Sequence, residues 1–127
     1  MNSNLNKLTK AEEEIMQHIW ELDRCTVSDI IERMGMKEKI PHSTISSIVR
    51  ILEKKGYLDH KAYGRTYEYF PIITKETYSK KTIRSIVSNY FQGSMNELVS
   101  FLVKEKDIDI QELSELIEEH KKGKDHA

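Results

Sequence analysis

The 127-residue sequence predicts a mainly α fold with a small β-hairpin wing. A winged helix-turn-helix domain is expected over residues 1–73, and a three-helix dimerisation region with a polar tail over residues 74–127. Three observations carry this prediction. Three amphipathic segments follow one another before Gly56. A run rich in tyrosine, threonine and phenylalanine comes next, with Tyr63-Gly64-Arg65 at its centre. Beyond Pro71 the texture changes to three more short amphipathic segments.

The first helix is announced by Thr9 and Glu12, whose spacing suits a capping box, and by three glutamates that favour a helix N-terminus. Leu8, Ala11, Ile15, Ile19 and Leu22 then share one helical face. The second helix, "TVSDIIERMG", places Val27, Ile30, Ile31 and Met34 together and stops at Gly35. A basic turn with Pro41 precedes the third, expected from about Ser43 to Lys55. There Ile45, Ile48, Val49 and Leu52 form a buried stripe. Ser43, Ser46, Ser47, Arg50 and Lys54 fall opposite them at 100° per residue. Gly56 ends that helix, and a hairpin follows with Gly64 in its turn.

In the C-terminal region Ile83, Ile86, Val87, Tyr90 and Phe91 share one face. Ser94 and Glu97 open a fifth helix that carries Met95, Leu98, Val99 and Leu102. Asp109 and Glu112 open a sixth that carries Ile110, Leu113, Leu116 and Ile117. About fifty residues make too small a core alone, so pairing with a second copy is expected, as a homodimer.

Charge is unevenly spread. Residues 37–84 carry eleven basic and five acidic side chains, while residues 1–36 have four against seven and residues 85–127 five against nine. A central basic block suits a polyanion; a solvated surface with chance clustering is the plainer reading. Short hydroxyl side chains on the front of a helix let its backbone come close to a groove and bond phosphates or bases. Ser43, Thr44, Ser46, Ser47, Arg50 and Lys54 are therefore the expected DNA contacts of a recognition helix. Lys37 and Lys39 before it, and Lys61 and Arg65 near the wing tip, suit phosphates.

Cys25 is the sole cysteine, so an internal disulfide and a cysteine zinc site are excluded. With no apolar stretch near ~20 residues, a cytoplasmic protein without direct membrane insertion is expected. The five histidines show no ligand spacing, so no metal and no cofactor are expected. No phosphate-binding glycine loop or nucleophile elbow points to an enzyme.

The stretches "LTKAEEEIMQHIWE", "STISSIVRILEKKGYLDHKAYGRTYEYFP" and "VSNYFQGSMNELVSFLVKEK" resemble the penicillinase-repressor (BlaI/MecI-like) family. The motif from Thr44 to Gly56 is the most specific part. The resemblance implies a dimeric transcriptional repressor on palindromic operators of TACA/TGTA type, and the sign of regulation comes from it alone. It also implies release when a membrane-embedded sensor protease responds to a β-lactam and the repressor is cut at an Asn-Phe bond in the second C-terminal helix. The matching bond here is Ser100–Phe101, with the phenylalanine kept and the asparagine replaced. Copper-sensing relatives carry C-terminal cysteine pairs, which this chain lacks.

Two other readings stay open on the residues alone. One is a ligand- or redox-responsive regulator on the same scaffold, with Cys25 either an oxidation switch or a small core filler. The other is a winged helix that binds protein and never meets DNA. The central basic block weighs against the second.

Overall fold

The computed structural model describes residues 7–35, 40–105 and 109–125. Its elements are α1 (Lys10–Leu22), α2 (Val27–Met34), α3 (His42–Lys54), β1 (Leu58–Tyr63), β2 (Thr66–Pro71), α4 (Lys75–Tyr90), α5 (Met95–Lys104) and α6 (Ile110–Asp125). Helix, helix, helix and hairpin in that order form the winged helix-turn-helix. The chain divides into two compact units, Met1–Ser79 and Lys80–Ala127.

In the first unit the capping box at Thr9 forms: Thr9 N–H donates to Glu12 Oε1 at 2.9 Å and Glu12 N–H to Thr9 Oγ1 at 3.2 Å. The buried stripe of α1 is Glu12, Ile15, Met16 and Ile19. Ala11, expected on that face, is exposed. Leu8 and Leu22 pack against the core as expected, and the Glu12 carboxylate turns inward to meet Lys55 Nζ at 2.6 Å. A second capping box, Thr26 with Asp29, opens α2 and had no counterpart in the sequence reading. In α3, Ile45, Val49 and Leu52 are fully buried and Ile48 partly so. That helix starts one residue earlier than expected, behind Pro41, with no side-chain cap.

The end of α3 follows from its last residues. Gly56 adopts φ +90°, Tyr57 N–H donates to Leu52 C=O at 3.0 Å, and Gly56 N–H to Glu53 C=O at 3.0 Å. This is a Schellman stop, which needs the left-handed residue that glycine supplies. It drops Tyr57 into the core, where it is wholly buried.

The hairpin pairs Leu58 with Pro71 through to Tyr63 with Thr66, leaving Gly64-Arg65 as a two-residue turn. Only its first central residue, Gly64 at φ +64°, is left-handed, as a type II′ turn requires. The outer edge of β2 is not bare. Cys25 N–H donates to Tyr69 C=O at 2.9 Å and Tyr69 N–H to Cys25 C=O at 2.7 Å. The α1–α2 connection thus adds one residue of a third strand to the wing. Trp20 donates its indole N–H to Ile73 C=O at 2.9 Å and meets Tyr78.

In the second unit, Ser94 caps α5 through Glu97 N–H at 3.1 Å, and the Phe91 and Phe101 rings lie 5.5 Å apart. The three helices share little packing within one chain. Val87 is buried, while Ile83, Ile86, Tyr90, Met95, Val99, Phe101, Ile110, Leu116 and Ile117 are all more than a third exposed. Phe91, Leu98, Leu102 and Leu113 are half-buried. No helix among the described residues is long and apolar enough to cross a membrane.

Candidate nucleic-acid interface

The polar face of α3 borders a cleft of about 320 Å³. Its walls are Thr26, Val27 and Ser28 from the start of α2, His42, Ser46 and Arg50 from α3, and Arg65, Thr66, Tyr67 and Tyr69 from the wing. Three elements converge because α2 and α3 pack through their apolar stripes and the Schellman stop turns the wing back alongside α3. Among the described residues the lining carries two arginines, a histidine, hydroxyls and two tyrosines, and no carboxylate. A second, shallower groove adjoins the first at Arg50 and is lined by Ser47, Arg50, Ile51 and Lys54.

The expected contacts distribute unequally over this surface. Ser46, Arg50 and Arg65 meet in the cleft, and Ser47 and Lys54 lie along the adjoining groove. Ser43 and Thr44 are exposed on the first turn of α3, outside both depressions. Lys61 is not brought to the cleft: its ammonium sits over the Tyr63 ring at 5.5 Å. Strand parity is the reason. His60, one residue earlier, faces α3, so Lys61 takes the other face of the wing. Glu68, opposite Lys61 in the ladder, binds Arg24 there at 3.6 Å. Lys37 and Lys39 lie outside the described residues.

Several lining residues were not anticipated from the sequence. Thr26, Ser28, His42 and Tyr67 reach the cleft from three elements, and Ile51 is a 43% exposed isoleucine on the groove-facing side of α3. Isolated hydroxyls and a lone histidine carry no periodic signal; only the packing of α2 and the wing against α3 unites them. Ile51 was legible, since it follows Ser47 by one helical turn.

The wing is held against α3 by His60. Its Nδ1 lies 2.8 Å from Glu53 Oε2, and its ring stacks on Tyr67 at 4.2 Å between centroids. Donor atoms of Glu53, Asp59 and His60 all lie within 4.8 Å of one another, a grouping the sequence spacing did not reveal. Asp59 Oδ1 accepts the His60 backbone N–H at 2.8 Å, while Glu53 holds the His60 ring nitrogen. Tyr69 is buried beneath the stack, and burial followed by the nearby Glu53 pushes its hydroxyl above the usual tyrosine range.

Cys25 sits under the same wing, 1% exposed. Burial, then the charges of Asp29, Glu68 and Asp23, pushes its thiol up to about 12. A thiol so held is protonated at neutral pH and inaccessible, the reverse of what oxidation sensing needs. The geometry favours the core-filler reading.

A family model described as Penicillinase repressor matches residues 8–122. The chain is 27% identical over 116 residues to the methicillin resistance regulatory protein MecI of Staphylococcus aureus, covering 91% of this chain and 94% of that protein. It is 27% identical over 121 residues to the penicillinase repressor of Bacillus licheniformis, covering 93% and 94%. Among solved structures, the DNA binding domain of the repressor BlaI superposes with a TM-score of 0.52 at 28% identity, over 59% of this chain and 92% of that one. The Bacillus licheniformis BlaI monomeric form in complex with the blaP half-operator superposes with a TM-score of 0.50 over the same shares.

Proposed function

The chain belongs to the penicillinase-repressor family, and from that premise we propose that it is a DNA-binding transcriptional repressor that lays α3 in the major groove of an operator. The observation that carries the reading is the carboxylate-free cleft in which Arg50 and Arg65 converge from α3 and the wing. Arginine in such a place binds phosphate or the guanine edge through two parallel hydrogen bonds. Hydroxyls beside it let the backbone approach. The BlaI structure solved with a half-operator supports the choice of duplex DNA over a protein partner.

The reading extends to a homodimer. Among the described residues, nine large apolar side chains between Ile83 and Ile117 are exposed in a single chain, and a second copy would cover them. Two-fold pairing presents two recognition helices to a palindrome, here of TACA/TGTA type, with half-sites one helical turn or a multiple apart. Such a protein works in the cytoplasm, on genes proposed from its relatives to serve β-lactam resistance. Release by a membrane-embedded sensor protease at Ser100–Phe101 completes the proposal. Its support is the exposed Phe101, and Ser100 in place of asparagine weighs against it.

The test is a gel shift on the DNA upstream of the protein's own gene, with an unrelated competitor of equal length and a parallel Arg50→Ala chain. A shift that resists the competitor and is lost with Arg50→Ala is expected. A shift competed equally by unrelated DNA would show that α3 reads no sequence there.

A further inference from the structure

His42 opens α3 with its side chain exposed, and its Nδ1 lies 3.4 Å from Ser46 Oγ one turn on. It lines the cleft beside Arg50 of α3 and Arg65 of the wing. From α2 the cleft receives Ser28 and Thr26, which carry no charge. The acidic residue of that turn, Asp29, caps its own helix: its Oδ2 accepts Thr26 N–H at 2.9 Å. From β2 the lining adds the phenols of Tyr67 and Tyr69. Among the described residues the charges that line the cleft with His42 are therefore cationic.

The start of α3 adds to this. Pro41 supplies no side-chain cap, and the positive end of a helix disfavours a cation on its first turn. In the free protein the His42 imidazole thus faces two arginines and sits at a helix N-terminus. A phosphate in the cleft reverses the balance, because it attracts all three. Histidine is the side chain whose charge changes between about pH 5 and 8, so this reversal is coupled to pH in a way that Arg50 and Arg65 are not.

We propose that His42 is a proton-linked DNA contact: the duplex binds with uptake of one proton by the His42 imidazole, so that affinity rises as pH falls. The inference rests on the DNA-binding reading. The sign follows from linkage. A phosphate in the cleft favours the charged imidazole, so the gain is present where the imidazole is protonated and is lost as pH rises.

The test measures binding of the full chain to a fluorescent duplex from upstream of its own gene, at pH 6.0 and 8.0 in low salt. Wild type is compared with His42→Asn and with His60→Asn, which controls for the other histidine near the wing. Wild type should bind about tenfold more tightly at pH 6 than at pH 8, the worth of one charge-assisted contact. His42→Asn should change by less than about twofold and its salt slope at pH 6 should fall by about one phosphate contact. His60→Asn should keep the pH response. An equal pH response in wild type and His42→Asn would overturn the role of His42 while leaving DNA binding intact. No binding by wild type at either pH would overturn the DNA-binding reading as well. Because His42 is exposed, the variant should melt as wild type does by circular dichroism.

Discussion

Lys55 Nζ lies 2.6 Å from Glu12 Oε1 and joins the end of α3 to the first turn of α1 across 43 positions of sequence. Lys55 also donates to Lys7 C=O at 3.0 Å, and Glu12 accepts Thr9 N–H. Burial alone would raise the Glu12 carboxyl, but the hydrogen bonds from Lys55 and Thr9 and the Lys55 charge outweigh it and hold it below the usual range. A lowered folded value contributes stability above the unfolded value of about 4.3, and that contribution is lost as pH falls through the folded value. Glu12→Gln should therefore cost about 1–3 kcal/mol at pH 7, with the gap closing below about pH 4. Urea unfolding at pH 7, 5 and 3 checks it; a gap of constant size from pH 7 to pH 3 would remove the ion pair from the explanation.

Asp23 is the strained residue of the same unit. It adopts φ +70° and ψ −67°, and Arg24 N–H donates across it to Leu22 C=O at 2.8 Å. That is a γ-turn of the rare, strained hand. It reverses the chain at the end of α1 so that Cys25 can reach Tyr69. Glycine takes this conformation without a Cβ penalty, so Asp23→Gly should stabilise the protein by about 0.5–1 kcal/mol. A thermal melt that falls instead would mean that the Asp23 side chain holds the turn.

These two positions show where reading the sequence stopped. The stripe of α3 and the stop at Gly56 were legible, because both are periodic or local. The hairpin was legible from Gly64 between aromatic runs. The Cys25–Tyr69 bridge was not, since one residue of strand leaves no alternation to detect. Glu12 was legible as half of a capping box, but its ion pair depends on how α1 crosses α3. The cleft was half legible: Ser46, Arg50 and Arg65 were foreseen, while Thr26, Ser28, His42 and Tyr67 join only through packing. Lys61 lies near the wing tip as expected, but the parity of its strand places it away from the cleft.

Lys61 and Arg65 consequently make a paired test of which wing face meets DNA. Arg65 lines the cleft, and Lys61 lies on the opposite face over Tyr63. Arg65→Ala should weaken DNA binding about tenfold and lower the salt slope by about one. Lys61→Ala should change affinity by less than about twofold. Salt titrations of binding for the two variants decide it. The opposite ranking would mean that the duplex meets the outer face of the wing.

The exposed side chains of α4 and α6 predict how the protein associates. Ile86 is 42% exposed and Leu116 50%, and a carboxylate at either place would have to be buried unpaired in a dimer. Ile86→Asp or Leu116→Asp should shift the protein from dimer to monomer at about 10 μM, since an unpaired buried charge costs several kcal/mol. Sedimentation equilibrium reads this directly. The helical signal of the first unit should persist, because neither residue lies in it. Dimers that survive both substitutions would place the pairing surface elsewhere.

The same pairing should control access to the Ser100–Phe101 bond. The bond lies within α5, and a helical peptide cannot enter the extended groove of a protease until the helix opens. With ten residues α5 is shorter than the roughly 12–15 at which an isolated helix becomes marginal, so its order depends on packing. Phe101 touches Phe91 on one side and is 48% exposed on the other. Covering that exposed side with a second copy raises the free energy of local opening and slows cleavage in proportion to the open population. Thermolysin, which cuts before large apolar residues, should release a fragment beginning at Phe101. It should do so at least about tenfold faster from Ile86→Asp than from wild type, a difference of about 1.4 kcal/mol in opening. Phe101→Ala should suppress that fragment in both backgrounds. Equal rates from wild type and Ile86→Asp would mean that α5 opens without regard to pairing, and proteolytic release would then need no prior dissociation.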